Sequence, residues 1–120
     1  MDSEEDDGKM TSPTQLSLKE LRKRGYIAGI TEKFNPFIKI RQDLWGFADL
    51  ACAHPEKKEF LLVQATSGDN VAARVKKIEE NDNAKKWLQA GGKISVWGWR
   101  KSGKANKRKL WTLREVEVDV

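Results

Sequence analysis

Three polar side chains stand where a buried strand would carry apolar ones: Asp49, Gln64 and Thr66. They lie in the stretch Trp45–Thr66, which reads as two adjacent strands joined by the charged turn His54-Pro55-Glu56-Lys57-Lys58. A buried carboxylate or amide without a partner costs about 1–3 kcal/mol, and a charge costs more. Three such residues converging on neighbouring strand ends therefore mark a site. Gln64 and Thr66 are two apart, so on a strand both side chains face the same way. An aspartate at one strand end, an oxygen donor on the next strand and a further polar group beside it suit a hard divalent cation, which takes oxygen ligands. The chemistry such a set supports is metal-assisted hydrolysis of a phosphodiester.

Other chemistries lack their residues. There is no glycine-rich phosphate loop with its lysine and no Gly-x-Gly-x-x-Gly. One cysteine, Cys52, and one histidine, His54, are too few for a structural zinc site. Two residues apart on a strand, they do not by themselves form a nucleophile and base pair. Cys52 reads as a small core residue and His54 as an exposed turn residue.

The chain of 120 residues fits one domain with a real core. Residues 1–12 read as an acidic, disordered tail and residues 13–120 as a single domain. The net charge is +5, but the first ten residues hold five acids and one base. They contribute −4, so the remainder carries +9, and a positive domain of this size suits an anionic partner such as nucleic acid. Lys93 to Lys109 holds seven bases and no acid: Lys93, Arg100, Lys101, Lys104, Lys107, Arg108 and Lys109. Together with Arg41, Arg74 and Lys77 these are the candidate nucleic-acid contacts, and they would give salt-dependent, largely sequence-blind binding. Trp97, Trp99 and Trp111 either fill the inner side of that hairpin or stack on unpaired bases. A single cysteine, no apolar leader and no run long enough to span a membrane point to an intracellular, cytoplasmic setting.

The elements that must position these residues follow from pattern. Ser12-Pro13-Thr14 is a helix entry, and Leu16, Leu18 and Leu21 make an apolar stripe over Pro13–Arg24, closed by Gly25. Tyr26–Lys33 reads as a strand, interrupted at Phe34-Asn35-Pro36-Phe37 and followed by a short extended piece, Ile38–Gln42. The Asp49 strand comes next. Glu59–Thr66, the most apolar, belongs in the centre of a sheet. Val71, Val75 and Ile78 build a helix, and Asn81-Asp82-Asn83 caps a second over Ala84–Ala90. Ile94–Trp99 and Leu110–Val118 are the last strands. The fold class is therefore α/β, a mixed central β-sheet flanked by helices, in the order αβββααββ.

In that order, and in its motifs, the chain resembles the PD-(D/E)XK nuclease superfamily, the restriction-endonuclease-like and Holliday-junction-resolvase-like fold. The resemblance covers roughly Thr14 to Trp99. Its motif aspartate matches Asp49 in Phe47-Ala48-Asp49, and its acidic-x-lysine element matches Gln64-Ala65-Thr66. Small phage and bacterial members share the runs seen here as Arg41-Gln42-Asp43-Leu44-Trp45-Gly46-Phe47-Ala48-Asp49, Val63-Gln64-Ala65-Thr66 and Gly98-Trp99-Arg100-Lys101. The resemblance implies a divalent-metal-dependent DNA endonuclease using Mg²⁺ or Mn²⁺. In it Asp49 is the principal metal ligand, Gln64 the second and Thr66 the group that positions water. Gln64 in place of an acid brings no negative charge, and Thr66 in place of lysine supplies no cation. Glu32 and Asp43 would complete the carboxylate set, and Arg74 or Lys77 the missing positive charge. As alternatives, Asp43 also fits a turn residue and Glu32 a solvent-facing one. The competing expectation is a catalytically inactive DNA-binding protein on the same fold. Nucleases that cut both strands commonly act as homodimers, which is the expectation for assembly.

Overall fold

A computed structural model of the chain describes residues 12–102 and 110–119. The acidic tail, Ser12 apart, and the four bases Lys104, Lys107, Arg108 and Lys109 lie outside the described residues.

The first helix, α1 (Pro13–Lys23), opens on Ser12, whose hydroxyl accepts from the Gln15 amide. It closes at Gly25, whose φ of +98° suits a residue without a Cβ. Among the described residues seven strands follow: β1 (Ile27–Ile30), β2 (Lys33–Asn35), β3 (Ile40–Gln42), β4 (Leu50–His54), β5 (Glu59–Ser67), β6 (Lys93–Ser102) and β7 (Leu110–Glu117). Between β5 and β6 come a short 3₁₀ turn (Gly68–Asn70) and two helices, α2 (Val71–Glu79) and α3 (Asp82–Gln89). Asn81 caps α3, its side chain accepting from the Ala84 amide.

Five strands form one mixed sheet in the order β1-β4-β5-β6-β7, packed against the three helices. The α/β class and the central place of β5 are as the sequence leads one to expect. β4 pairs antiparallel with β1 and with β5, and β6 pairs antiparallel with β7. Only β5 and β6 run parallel. A parallel pair cannot be joined by a tight turn, and residues 68–92 make the crossover that carries α2 and α3 over one face. On that face Leu62, Val96, Ile94, Val71, Ile78 and Phe47 pack together. On the other, Leu21 of α1 packs with Leu50, Leu61, Val63, Trp97 and Trp99. The Ser17 hydroxyl, buried in α1, accepts from the Trp99 indole at 2.9 Å.

Two local expectations change. The strand expected over Tyr26–Lys33 ends at Ile30, and β2 and β3 form a separate two-stranded sheet around the Pro36 turn. His54 is buried, because Gly25 leaves room for its ring: Nε2 faces the Arg24 carbonyl at 3.1 Å and Nδ1 accepts from the Lys57 amide. Trp97 and Trp99 are core residues, whereas Trp111 is exposed. Cys52 lies in the core as expected, and burial, with the Glu59 charge, pushes its thiol up to about 12. No helix among the described residues is long and apolar enough to cross a membrane.

Gly98 sits opposite Thr66 on β6, under the start of α2. A Cβ there would collide with the Val71 side chain and come within 3.1 Å of the Gly68 Cα. Gly98→Ala is expected to lower stability by about 1–3 kcal/mol, read from urea denaturation. An unchanged midpoint would show that α2 does not bear down on β6 here.

Candidate metal centre

The site is assembled at one end of the sheet, where β1 and β5 finish and β4 begins. Asp49 immediately precedes β4 and is tied to both neighbours. Its amide donates to the Val63 carbonyl at 2.9 Å, and its carbonyl accepts from the Thr31 amide at 2.8 Å. Leu50 pairs with Val63, so Asp49 stands opposite Gln64. The Ala65 amide donates to Asp49 Oδ2 at 2.8 Å. The carboxyl is thus pinned by strand backbone on which no side-chain rotamer bears.

Asp43 reaches the same place through a tight loop. Leu44 and Ala48 exchange two backbone hydrogen bonds at 3.0 Å, turning the chain back on itself between them. Trp45 and Gly46 both adopt positive φ, +56° and +85°, which is an unfavourable conformation for a tryptophan. Asn81 holds it there, its side-chain amide donating to the Trp45 carbonyl at 3.0 Å, while Phe47 anchors the loop in the core. Glu32 arrives from the other side, two residues beyond the end of β1. The Thr31 hydroxyl fastens that segment to the Ala48 carbonyl at 2.8 Å.

Glu32, Asp43 and Asp49 each offer one carboxylate oxygen, and these oxygens lie within 4.8 Å of one another. Asp49 is 5% exposed; Glu32 and Asp43 are half-buried. Burial pushes the Asp49 carboxyl up to about 8, helped by its hydrogen bond with Asp43 and by the Asp43 and Glu32 charges. The Ala65 amide pulls the other way and loses. Gln64 is 2% exposed. Its Nε2 faces Asp43 Oδ2 at 3.5 Å, the outer limit of a hydrogen bond, and its Oε1 is buried with no hydrogen-bond partner among the described residues. An oxygen left so costs about 1–3 kcal/mol unless something ligates it. Three carboxylates and a spare amide oxygen are the donor set of a hard divalent cation, so the residues present fit one.

Glu32, Asp43, Asp49 and Gln64, separated along the chain, are therefore brought together. Thr66, also buried, lies on the same face as Gln64, two residues further along β5. Arg41 is exposed on β3, two residues before Asp43, and Arg74 and Lys77 are on α2. Arg100 and Lys101 are exposed on β6 just past the end of β5, whose Ser67 pairs with Trp99. Arg100 stands 4.0 Å from the exposed Asp69, and the Lys101 ammonium lies 5.2 Å from the Trp111 ring centre. Sequence reasoning missed the Ala65 amide, Thr31 and Asn81. Register and loop closure give them their parts, and no local signal marks them. Comparison of the chain with known protein families, with curated proteins and with solved structures finds no match.

The raised Asp49 carboxyl has a sign that can be checked on protein stripped of divalent cations by a chelator. The folded state holds this proton more tightly than the unfolded chain. Its stabilisation is complete below about pH 4 and is lost as pH rises through about 8, with a slope of at most about 1.4 kcal/mol per pH unit. Asp49→Asn removes the titration and keeps the shape. The denaturation midpoint of the parent should therefore fall relative to that of Asp49→Asn between pH 5 and pH 9. A constant difference would contradict the crowding of carboxyls described above.

Proposed function

We propose that the chain is a divalent-metal-dependent endonuclease that hydrolyses phosphodiester bonds in DNA. The observation that carries this is the convergence of the Glu32, Asp43 and Asp49 carboxylates, with the buried Gln64 amide against Asp43. Two further features support it. The strand order and the place of Asp49 resemble the PD-(D/E)XK superfamily, and β3, α2 and β6 carry the cations Arg41, Arg74, Lys77, Arg100 and Lys101.

Asp49, Asp43 and Glu32 would hold Mg²⁺ or Mn²⁺ by their carboxylates, with the Gln64 amide oxygen as a neutral fourth donor. A bound cation polarises the phosphate and makes a water nucleophilic at neutral pH. The chain's own residues do the rest. The Ala65 amide fixes the Asp49 carboxyl so that its free oxygen faces the cluster. Thr66, on the Gln64 side, offers a hydroxyl that accepts from or donates to the attacking water. Arg41, Arg100 and Lys101 neutralise flanking phosphates, and Arg74 or Lys77 stands in for the lysine that Thr66 replaces. β6 runs at roughly 3.3 Å per residue, which puts Arg100 about 13 Å along from the Val96 position that pairs with Gln64. That is a span of three to four nucleotides at about 3.4 Å each.

Gln64 and Thr66 also favour a second function on the same scaffold, a DNA-binding protein without catalysis, because each removes a charge that hydrolysis would use. Incubation with duplex and single-stranded DNA in Mg²⁺ or Mn²⁺ separates the two. Cutting that disappears in Asp49→Ala, by at least about a hundredfold, is the expected result; binding without cutting under either metal leaves the second function standing. Gln64→Glu would add the missing negative charge, and the Mg²⁺ concentration for half-maximal cutting is expected to drop by on the order of tenfold. No change would exclude Gln64 from the metal.

A further inference from the structure

The hairpin β2–β3 grows directly out of the metal centre. Its two feet are Glu32, just before β2, and Asp43, just after β3. It belongs to neither core, yet it exposes Phe34, Phe37, Ile38 and Ile40, and Phe37 at its tip is 92% exposed. A short two-stranded ribbon has no independent reason to show four large apolar side chains to water. Its tip is nonetheless built firmly. The Asn35 side-chain oxygen accepts from the Phe37 and Ile38 amides at 2.9 and 3.3 Å, and the Asn35 carbonyl accepts from the Lys39 amide at 2.7 Å. Lys39 takes a φ of +58° to close the turn. The register places Phe34 across from Arg41 on one face. Residues 33–42 contain Lys33, Lys39 and Arg41 and no acid.

An apolar tip flanked only by cations is the chemistry of a partner that is anionic along its backbone and aromatic at its exposed bases. We infer that this hairpin is a wedge that recognises an unpaired base in DNA, with Phe37 stacking on the base and Lys33, Lys39 and Arg41 taking the adjacent phosphates. The inference rests on the proposed nuclease function and names what that site selects: DNA in which a base is already out of the stack. At about 3.3 Å per residue the tip stands at most about 17 Å from Glu32, so the unpaired base falls within roughly five nucleotides of the phosphate held at the cluster.

The test uses the full chain carrying Asp49→Asn, so that cutting does not interfere. Its affinity is measured for a duplex with one bulged adenine and for the fully paired counterpart, at one fixed salt concentration. The bulged duplex should bind more tightly by on the order of tenfold. Phe37→Ala should erase that preference with an unchanged circular dichroism spectrum, since Phe37 is almost wholly exposed; Phe37→Trp should keep it. Equal binding of the two duplexes, or a preference that survives Phe37→Ala, overturns the wedge and leaves the nuclease proposal intact. If the apolar tip instead mates with a second copy, sedimentation will show a dimer that Phe37→Ala dissociates without altering DNA affinity, and the wedge is again overturned. Failure to bind either duplex at any salt concentration removes the nucleic-acid function itself, and the wedge with it.

Discussion

The rest of the structure depends on one contact, the Ala65 backbone amide donating to the buried Asp49 carboxyl. A strand amide is fixed by the ladder on both sides, so it cannot swing away as a side chain can. It holds a carboxyl at the mouth of a sheet where burial and two neighbouring acids oppose its ionisation. The opposition is resolved in one of two ways: a proton shared with Asp43, or a cation among the three carboxylates. The first is a state of the protein alone. The second would relieve the like-charge crowding.

Holding acids together against their repulsion requires stiff supports, and the fold supplies them from three directions. β5 is buried on both faces through Leu61, Leu62 and Val63, which fixes the strand that carries Gln64, Ala65 and Thr66. Phe47, sunk in the core between the sheet and α2, clamps the loop that returns Asp43 to Asp49, at the cost of a tryptophan in a left-handed conformation. The Thr31 amide and hydroxyl, donating to the Asp49 and Ala48 carbonyls, fasten the segment that carries Glu32. The centre is thus preorganised by backbone, and little side-chain ordering remains to oppose ligand binding.

Much of this was legible in the sequence, for identifiable reasons. Asp49 stood out because an apolar strand gives an aspartate no local purpose, and Gln64 and Thr66 because period-two alternation placed them on one face. The helix ends were legible because Ser12, Gly25 and Asn81 do at each terminus what caps do. Glu32 and Asp43 were harder. In sequence they look like a strand residue and a turn residue, and only the return of the chain through Leu44–Ala48 brings Asp43 onto Asp49. The hairpin was half legible. Pro36 announced a break, but that the break is a turn between two strands depends on Asn35 bonding to the tip, which composition does not specify. His54 was misjudged because a histidine beside proline in a charged turn belongs outside by every local measure. Its burial depends on Gly25, distant in the chain, which has no side chain to contest the space.

The central claim is that Glu32, Asp43, Asp49 and Gln64 form one divalent-cation site. The most direct measurement is Mn²⁺ titration of the full chain, followed by the electron paramagnetic resonance signal of the free ion, in parent and Asp49→Asn. The account predicts that the parent removes Mn²⁺ from the free pool saturably, that Mg²⁺ competes it off, and that Asp49→Asn loses this binding while remaining folded. Equal Mn²⁺ uptake by the parent and Asp49→Asn, or none by either, would contradict it.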